Sequence, residues 1–443
     1  MKYIEKAVNK YRKLILDAER YIWNNPETGY KEVKTSKYLE TEMRKLGYDL
    51  VMAGDIPGFY TVIDTGRVGP EVLVLAELDS VICSAHPESD KETGAVHSCG
   101  HNAQCAALLG VAAILKEPGV LDDLSGKIRL CFVPAEELLE IEYRLSLKEK
   151  GIIKYLGGKS EFIHRGYFDG VDMAFMVHTG GKYRVGTGCV GALSKSVIYK
   201  GKSTHAGSTP QDGINALYAA NLGLTAINSI RETFVEKDTM RVHPIITHGG
   251  DMVNAIPHEV KLESYVRGKT FDAIAKENKK INRAIIGAAL SLGANVEIVD
   301  MPAFTPLIND NGMINVAKDA ADLAIPEEGF VNDGIFGSGS TDMGDISSIM
   351  PAIHPNCGGR KGTAHGADYY IADPEVACVK CAKWQVAMLK VLLQNNAERA
   401  KSVLQNFTPR FKSKEEFLAY QDSLWSSGNR IKYNDDGTAE IKL

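Results

Sequence analysis

The stretch Glu71–Ser80, EVLVLAELDS, decides how the rest of the chain is read. The run from Val72 to Ala76 is wholly apolar, so a strand here has no polar face to turn to water. Such a strand is covered on both sides, as parallel strands are. It ends in Glu77 and Asp79, two carboxylates at its C-terminal end. In open α/β sheets that is the end where sites form.

The neighbouring stretches have the same form. YTVIDTG precedes it as a strand, AQCAALLGVAAILKE follows with helical patterning, and KIRLCFVPAEE is a strand ending in Glu136 and Glu137. VDMAFMVHTGG is a further short strand, ending in His178. Strands alternating with helices predict an α/β sheet. Upstream, residues 3–47 read as helices broken in NNPETGYKE, at Pro26 and Gly29.

From about Val190 the texture changes. Strand, long helix, two strands, second helix and closing strand follow one another over about 110 residues, the split β-α-β-β-α-β pattern. The expected organisation is a catalytic domain in two parts, residues 1–188 and 302–405, interrupted by an inserted domain at 189–301. A polar extension, residues 406–443, follows, with a hairpin expected over Asp436-Gly437.

Composition narrows the function. The chain has 443 residues, 44% hydrophobic and 24% charged, with a formal net charge of -5. That is the profile of a soluble globular protein without a basic surface for nucleic acid. No apolar run reaches the roughly 18 residues of a membrane span. The N-terminal pattern is amphipathic and charged, unlike a secretory signal, and eight scattered cysteines suit reduced thiols. The expected location is the cytoplasm. The single CxxC, Cys378 to Cys381, lies in an apolar helical run and reads as core.

Metal-ligand residue types recur where strands end or helices begin. They are Cys99 and His101 in GAVHSCGHNAQCAALLG, Glu136 and Glu137, His178, and His365 in GTAHGADY. Thiolate, imidazole and carboxylate together suit zinc, manganese, cobalt or nickel. Adjacent glutamates after the buried-looking RLCFVPA are costly there unless used. One carboxylate can coordinate while its neighbour takes a proton from water. His354, in AIHPN, competes with His365 for the late position, and the remaining histidines read as surface or structural.

HSCGHNA, VPAEE, VHTGG, GKSTHAGSTPQDGINA, GGDMVNAIPHEVKLESYVRG and AHG occur in that order. This series resembles the metallopeptidase family of aminoacylases, acetylornithine deacetylases, succinyl-diaminopimelate desuccinylases and glutamate carboxypeptidases. It is closest in pattern to the amidohydrolase branch with hippurate hydrolase and auxin-conjugate hydrolases. Asn102 and GSTDMGDIS…MPAIHP lean towards aminobenzoyl-glutamate hydrolases and β-alanyl-lysine-type dipeptidases. The resemblance implies a phosphorylase/hydrolase-like mixed-sheet catalytic domain with an inserted ferredoxin-like α+β lid and dimerisation domain.

It also implies a centre of two divalent ions, zinc or manganese first, cobalt or nickel next. Cys99 would bridge them, with His101, Glu137, His178 and His365 as the other ligands and Glu136 as general base. His101 would replace the histidine that other branches carry where Glu77 stands, with Asp79 in support. His205, Asn254 and Arg267 match substrate-contacting positions. The implied reaction is hydrolysis of the amide of an N-acyl amino acid or dipeptide by a homodimer. The alternatives are an aminobenzoyl-glutamate-type conjugate hydrolase and a non-catalytic metal-bound ligand-binding protein. Two departures stand out: Asn102 and Gln104 replace an aspartate and a histidine of the hippurate-type branch, and the segment after Glu137 is longer than the family norm.

Overall fold

A computed structural model describes residues 2–443. The chain divides into two compact units. The first comprises residues 2–188, 307–337 and 341–417; the second comprises 189–306, 338–340 and 418–443.

The first unit begins with α1 (Lys2–Trp23) and α2 (Val33–Lys45), separated by the Pro26–Gly29 break. Its sheet is built from β1 (Val51–Met52), β2 (Phe59–Asp64), β3 (Glu71–Glu77), β4 (Lys127–Val133) and β5 (Met173–Phe175), with α3 (His101–Leu115) between β3 and β4. The spatial order is β1-β2-β4-β3-β5, and the short strand Ala352–Ile353 closes the far edge. β3 runs parallel to β4 and β5, and Val72 faces Ile128 on one side and Met173 on the other. β2 is antiparallel to β4, so the sheet is mixed. Every residue of β3 is buried. So is every residue of α3, an apolar helix without a polar stripe, as a helix covered all round must be.

α3 starts from Gly100, which has φ +93°. A Cβ there would lie 2.1 Å from Thr179 Oγ1 and 2.2 Å from the Tyr369 hydroxyl oxygen. Both the conformation and the space therefore require glycine at the turn that carries Cys99 and His101. Cys378 and Cys381 are buried in the core, and burial raises the Cys378 thiol. All eight cysteines are free. Among the described residues no helix is long and apolar enough to cross a membrane.

The second unit contains β6 (Gly191–Lys200), α4 (Ala216–Ile230), β7 (Arg241–Val242), β8 (Ile245–His248), β9 (Glu259–Gly268), α5 (Phe271–Ser291) and β10 (Asn295–Phe304). Its order is β7-β9-β6-β10, with β8 also on β9 and all pairings antiparallel. That is the arrangement of a split β-α-β-β-α-β unit. β9 alternates buried and half-buried residues; Val260, Leu262 and Val266 pack with Ile281 and Ile285 of α5. The last residues join this unit: Ser426–Asn429 pairs with β10, and Ile431–Tyr433 and Ala439–Ile441 form a hairpin.

One ion pair is sealed in this sheet. Lys195 on β6 and Asp300 on β10 are cross-strand neighbours and bond to each other. Asn282 Oδ1 accepts from Lys195 Nζ at 2.6 Å, and Asp300 Oδ2 accepts from Asn278 and Asn282 at 2.9 and 2.8 Å. Burial lowers the Lys195 pKa, although Asp300 opposes it.

Asp300→Ala leaves that ammonium buried without its counter-charge, and urea denaturation should show a loss of about 3–5 kcal/mol. Gly100→Ala should cost about 2–3 kcal/mol from backbone strain and overpacking, seen as a lower melting temperature.

Candidate metal centre

The ends of β3 and β4, the start of α3 and two later loops bring the ligand-type side chains together. Cys99, His101 and His178 place one ligand atom each within 4.8 Å of one another. Cys99, Glu137 and His365 form a second such group, and Cys99 is the only residue common to both. Cys99 Sγ lies 3.3 Å from His178 Nε2, and His365 Nε2 lies 2.9 Å from Glu137 Oε1.

Local backbone fixes each position. His178 heads a short strand that pairs in parallel with Asn356–Cys357. Its Nδ1 lies 2.9 Å from the Thr179 carbonyl, which places a proton on Nδ1 and turns Nε2 to the thiol. His101 Nδ1 faces the Asp79 carbonyl at 2.9 Å and Asp79 Oδ1 at 3.2 Å, so its proton sits there too. His101 Nε2 is buried 3.2 Å from Glu77 Oε2. Asp79 Oδ2 accepts from the Glu137 N–H at 2.8 Å, so this one carboxylate orients both an imidazole and the glutamate turn. His365 has φ +62°, and its N–H donates to the Ser98 carbonyl at 2.9 Å.

Electrostatics follow from this packing. Burial and Glu137 push the Cys99 thiol up, but His101 and His178 outweigh them and bring it to about 6. Burial raises Glu137, but His365 overcomes it and holds the carboxyl at about 2. Glu137 in turn raises His365 to about 11. Glu136, buried and facing Glu77 and Glu137, is pushed well above the usual carboxylate range, first by burial. A thiol that ionises readily, two imidazoles whose Nδ1 is held by oxygen acceptors so that Nε2 faces the cluster, and an ionised carboxylate form a donor set that fits two divalent ions sharing one sulfur.

Behind this cluster lies a second one. Glu77, Glu136 and Asp342 also group within 4.8 Å. Fully buried Lys159 donates to Glu77 Oε1 at 2.6 Å and bonds Asp342 Oδ1, while its own N–H donates to Asp342 Oδ2 at 3.1 Å. Burial alone would strip its proton, yet Asp342 and Glu77 hold it charged. Sequence reasoning missed Lys159 and Asp342. The signals were faint: a lysine in LGGKSEF, and an aspartate inside the glycine-rich GSGSTDMGDIS.

The two departures at the start of α3 have structural partners. Asn102 Nδ2 donates to Glu19 Oε1 at 2.8 Å, and Gln104 Nε2 donates to Glu77 Oε2 at 2.9 Å. His354 belongs to none of the groups. Its Nδ1 meets the Met176 carbonyl at 2.9 Å and its ring packs edge-on against His178, while burial lowers it to about 4.

His205, Asn254 and Arg267 lie in the second unit and form no part of these groups. His205 is exposed and pairs with Ala255 across a single antiparallel bridge. Its Nδ1 accepts from the Gly207 and Ser208 N–H groups at 3.1 and 3.2 Å, so its Nε2 carries the proton. Asn254 is exposed in a loop, its carbonyl accepting from the Ala206 N–H at 3.0 Å. Arg267 stands opposite Arg241 on the sheet, over the Tyr265 ring.

Comparison with known proteins places this site in context. The chain is 29% identical over 349 residues to the Xaa-Arg dipeptidase of Mus musculus, covering 76% of this chain and 74% of that protein. It is 29% identical over 331 residues to the N-acetyl-L-cysteine deacetylase of Bacillus subtilis, covering 70% and 73%. A dinuclear metal-binding peptidase of Bacillus subtilis shares the fold with a TM-score of 0.62 at 19% identity, over 87% of this chain and 99% of that one. Residues 73–391 match the peptidase family M20/M25/M40, and with that match the chain belongs to this family of hydrolases.

Proposed function

We propose that the protein is a metal-dependent amidohydrolase that cleaves the amide bond of N-acyl amino acids or dipeptides. The observation that carries this reading is the shared thiol: Cys99 belongs to two ligand groups, and the buried Glu136 forms a further group with His101 and Glu137, one member of each. Cys99, His101 and His178 would hold one divalent ion, and Cys99, Glu137 and His365 the other, with zinc or manganese best suited to the donor set. Bound there, the pair would polarise a carbonyl and acidify a water.

The chain's own groups do the rest. Glu136 accepts the proton of the attacking water and passes it to the leaving amine nitrogen. Its raised affinity for protons suits both transfers. Asp79 keeps His101 and the glutamate turn in register. In the second unit, the His205 Nε2–H is a donor for the scissile carbonyl oxygen, Asn254 a polar contact, and the Arg267 guanidinium a fork for a substrate carboxylate. The names of the dipeptidase and deacetylase relatives support the substrate class.

The second unit also supports a homodimer. Tyr218 and Leu222 on α4, and Ile245 and Ile246 on edge strand β8, are apolar and exposed, the kind of surface that pairs with a copy of itself. Eight free thiols favour a reducing compartment, the cytoplasm.

Glu136→Gln should lower kcat about 10³-fold on the best substrate of a panel of dipeptides and N-acetyl amino acids, with metal content unchanged; wild-type turnover in that variant would remove Glu136 from the mechanism. Metal analysis should find about two ions per chain, and chelation should abolish turnover until zinc or manganese is restored. Light scattering should give twice the chain mass, and a Tyr218→Glu/Ile245→Glu double variant should run as a monomer.

A further inference from the structure

The segment Leu138–Gly157, which separates the paired glutamates from the helix Gly158–His164, contains the short helix Ile141–Glu149. That helix carries Arg144, which is 1% exposed. Arg144 Nη1 donates to the Leu156 carbonyl at 2.7 Å and the Ala135 carbonyl at 3.3 Å, and Nη2 donates to the Glu137 carbonyl. Two of these three acceptors flank Glu136 directly in the chain.

The turn they flank needs holding. Ala135 has φ +60°, a left-handed conformation that a residue with a Cβ resists. Its N–H donates to Glu32 Oε1 at 2.8 Å, and its carbonyl also accepts from the Gly158 N–H at 3.1 Å. The pocket for the guanidinium is built for it. A Cβ on Gly29 would come within 2.3 Å of Arg144 Nη2, and the Tyr30 ring lies under the guanidinium, 5.6 Å from its centroid. The Tyr30 hydroxyl ties back to the segment through the Tyr155 carbonyl at 3.1 Å.

We infer that Arg144 is a positioning residue for the reaction: its guanidinium clamps the carbonyls on both sides of Glu136, and the segment Leu138–Gly157 exists to deliver that clamp. This rests on the reading of Glu136 as base and Glu137 as ligand. The Arg144 guanidinium is taken up by backbone carbonyls. It acts by fixing where the two carboxylates point, through a planar fork that spans two carbonyls as a lysine ammonium does not. Misplacement of a reacting group by about 1 Å costs on the order of 10²-fold in rate.

The test uses the full chain with cobalt(II) as the metal probe. Arg144→Lys should fold as the wild type does, bind cobalt(II) about tenfold more weakly and shift its visible absorption, as loss of an outer support does. Its kcat should fall about 10²-fold while KM stays within about threefold. Arg144→Ala should behave alike and regain about tenfold in kcat when guanidinium is added. If the alanine variant does not fold, the lysine variant decides. Cobalt(II) affinity and kcat within about threefold of wild type in a folded variant, a defect in KM alone, or a folded alanine variant deaf to guanidinium overturns the inference. Failure of the wild type itself to bind cobalt(II) overturns instead the metal reading on which it rests.

Discussion

The need to neutralise carboxylates shut away from water governs this structure. Glu77, Glu136 and Asp342 are buried within reach of one another, and Glu137 stands at their margin. Left alone, such charges would cost several kcal/mol each. The chain answers in two ways. On the inner side Lys159, itself sealed, is a permanent cation between Glu77 and Asp342. On the outer side the partners are His365 and His101, imidazoles that change charge readily and bind metal. The inner half is therefore locked, and the outer half can exchange its counter-charge.

The backbone near these groups is strained at named points, and each point is tied down. Ala135 and His365 have positive φ despite their Cβ atoms, and Gly100 adopts it as glycine readily does. Gly100 is enclosed by Thr179 and Tyr369, Ala135 is held at both its N–H and its carbonyl, and His365 is pinned to Ser98. Strain of this kind persists only where the surroundings over-determine it. Here the anchors come from distant parts of the chain, so the geometry of the site reports on the folding of the whole first unit.

Much of this was legible in the sequence because burial leaves a periodic trace. The unbroken apolar run of β3 marked a strand covered on both faces, and it pairs on both sides. The ligand types at strand ends were visible because cysteine, histidine and paired glutamates are scarce in such places. Lys159 and Arg144 were not legible. Both are buried cations in a stretch of mixed polar and apolar residues with helical patterning, and only the three-dimensional position of their carbonyl and carboxylate partners gives them meaning. The last residues were likewise obscure: SSGN has no strand signature of its own, and β10 alone induces it.

That terminal strand has a bearing on assembly. By lying along β10, Ser426–Asn429 blunts one side of the second unit's sheet with a short serine- and glycine-containing segment that turns away into a hairpin. The hydrogen-bonding edge on the opposite side, at β8, keeps its open ladder. A sheet open on both sides can grow copy upon copy into a filament. A sheet open on one side only can meet the same side of another copy, and there the pairing closes on itself. Ser426–Asn429 thus takes up the ladder that β10 would otherwise present to another chain.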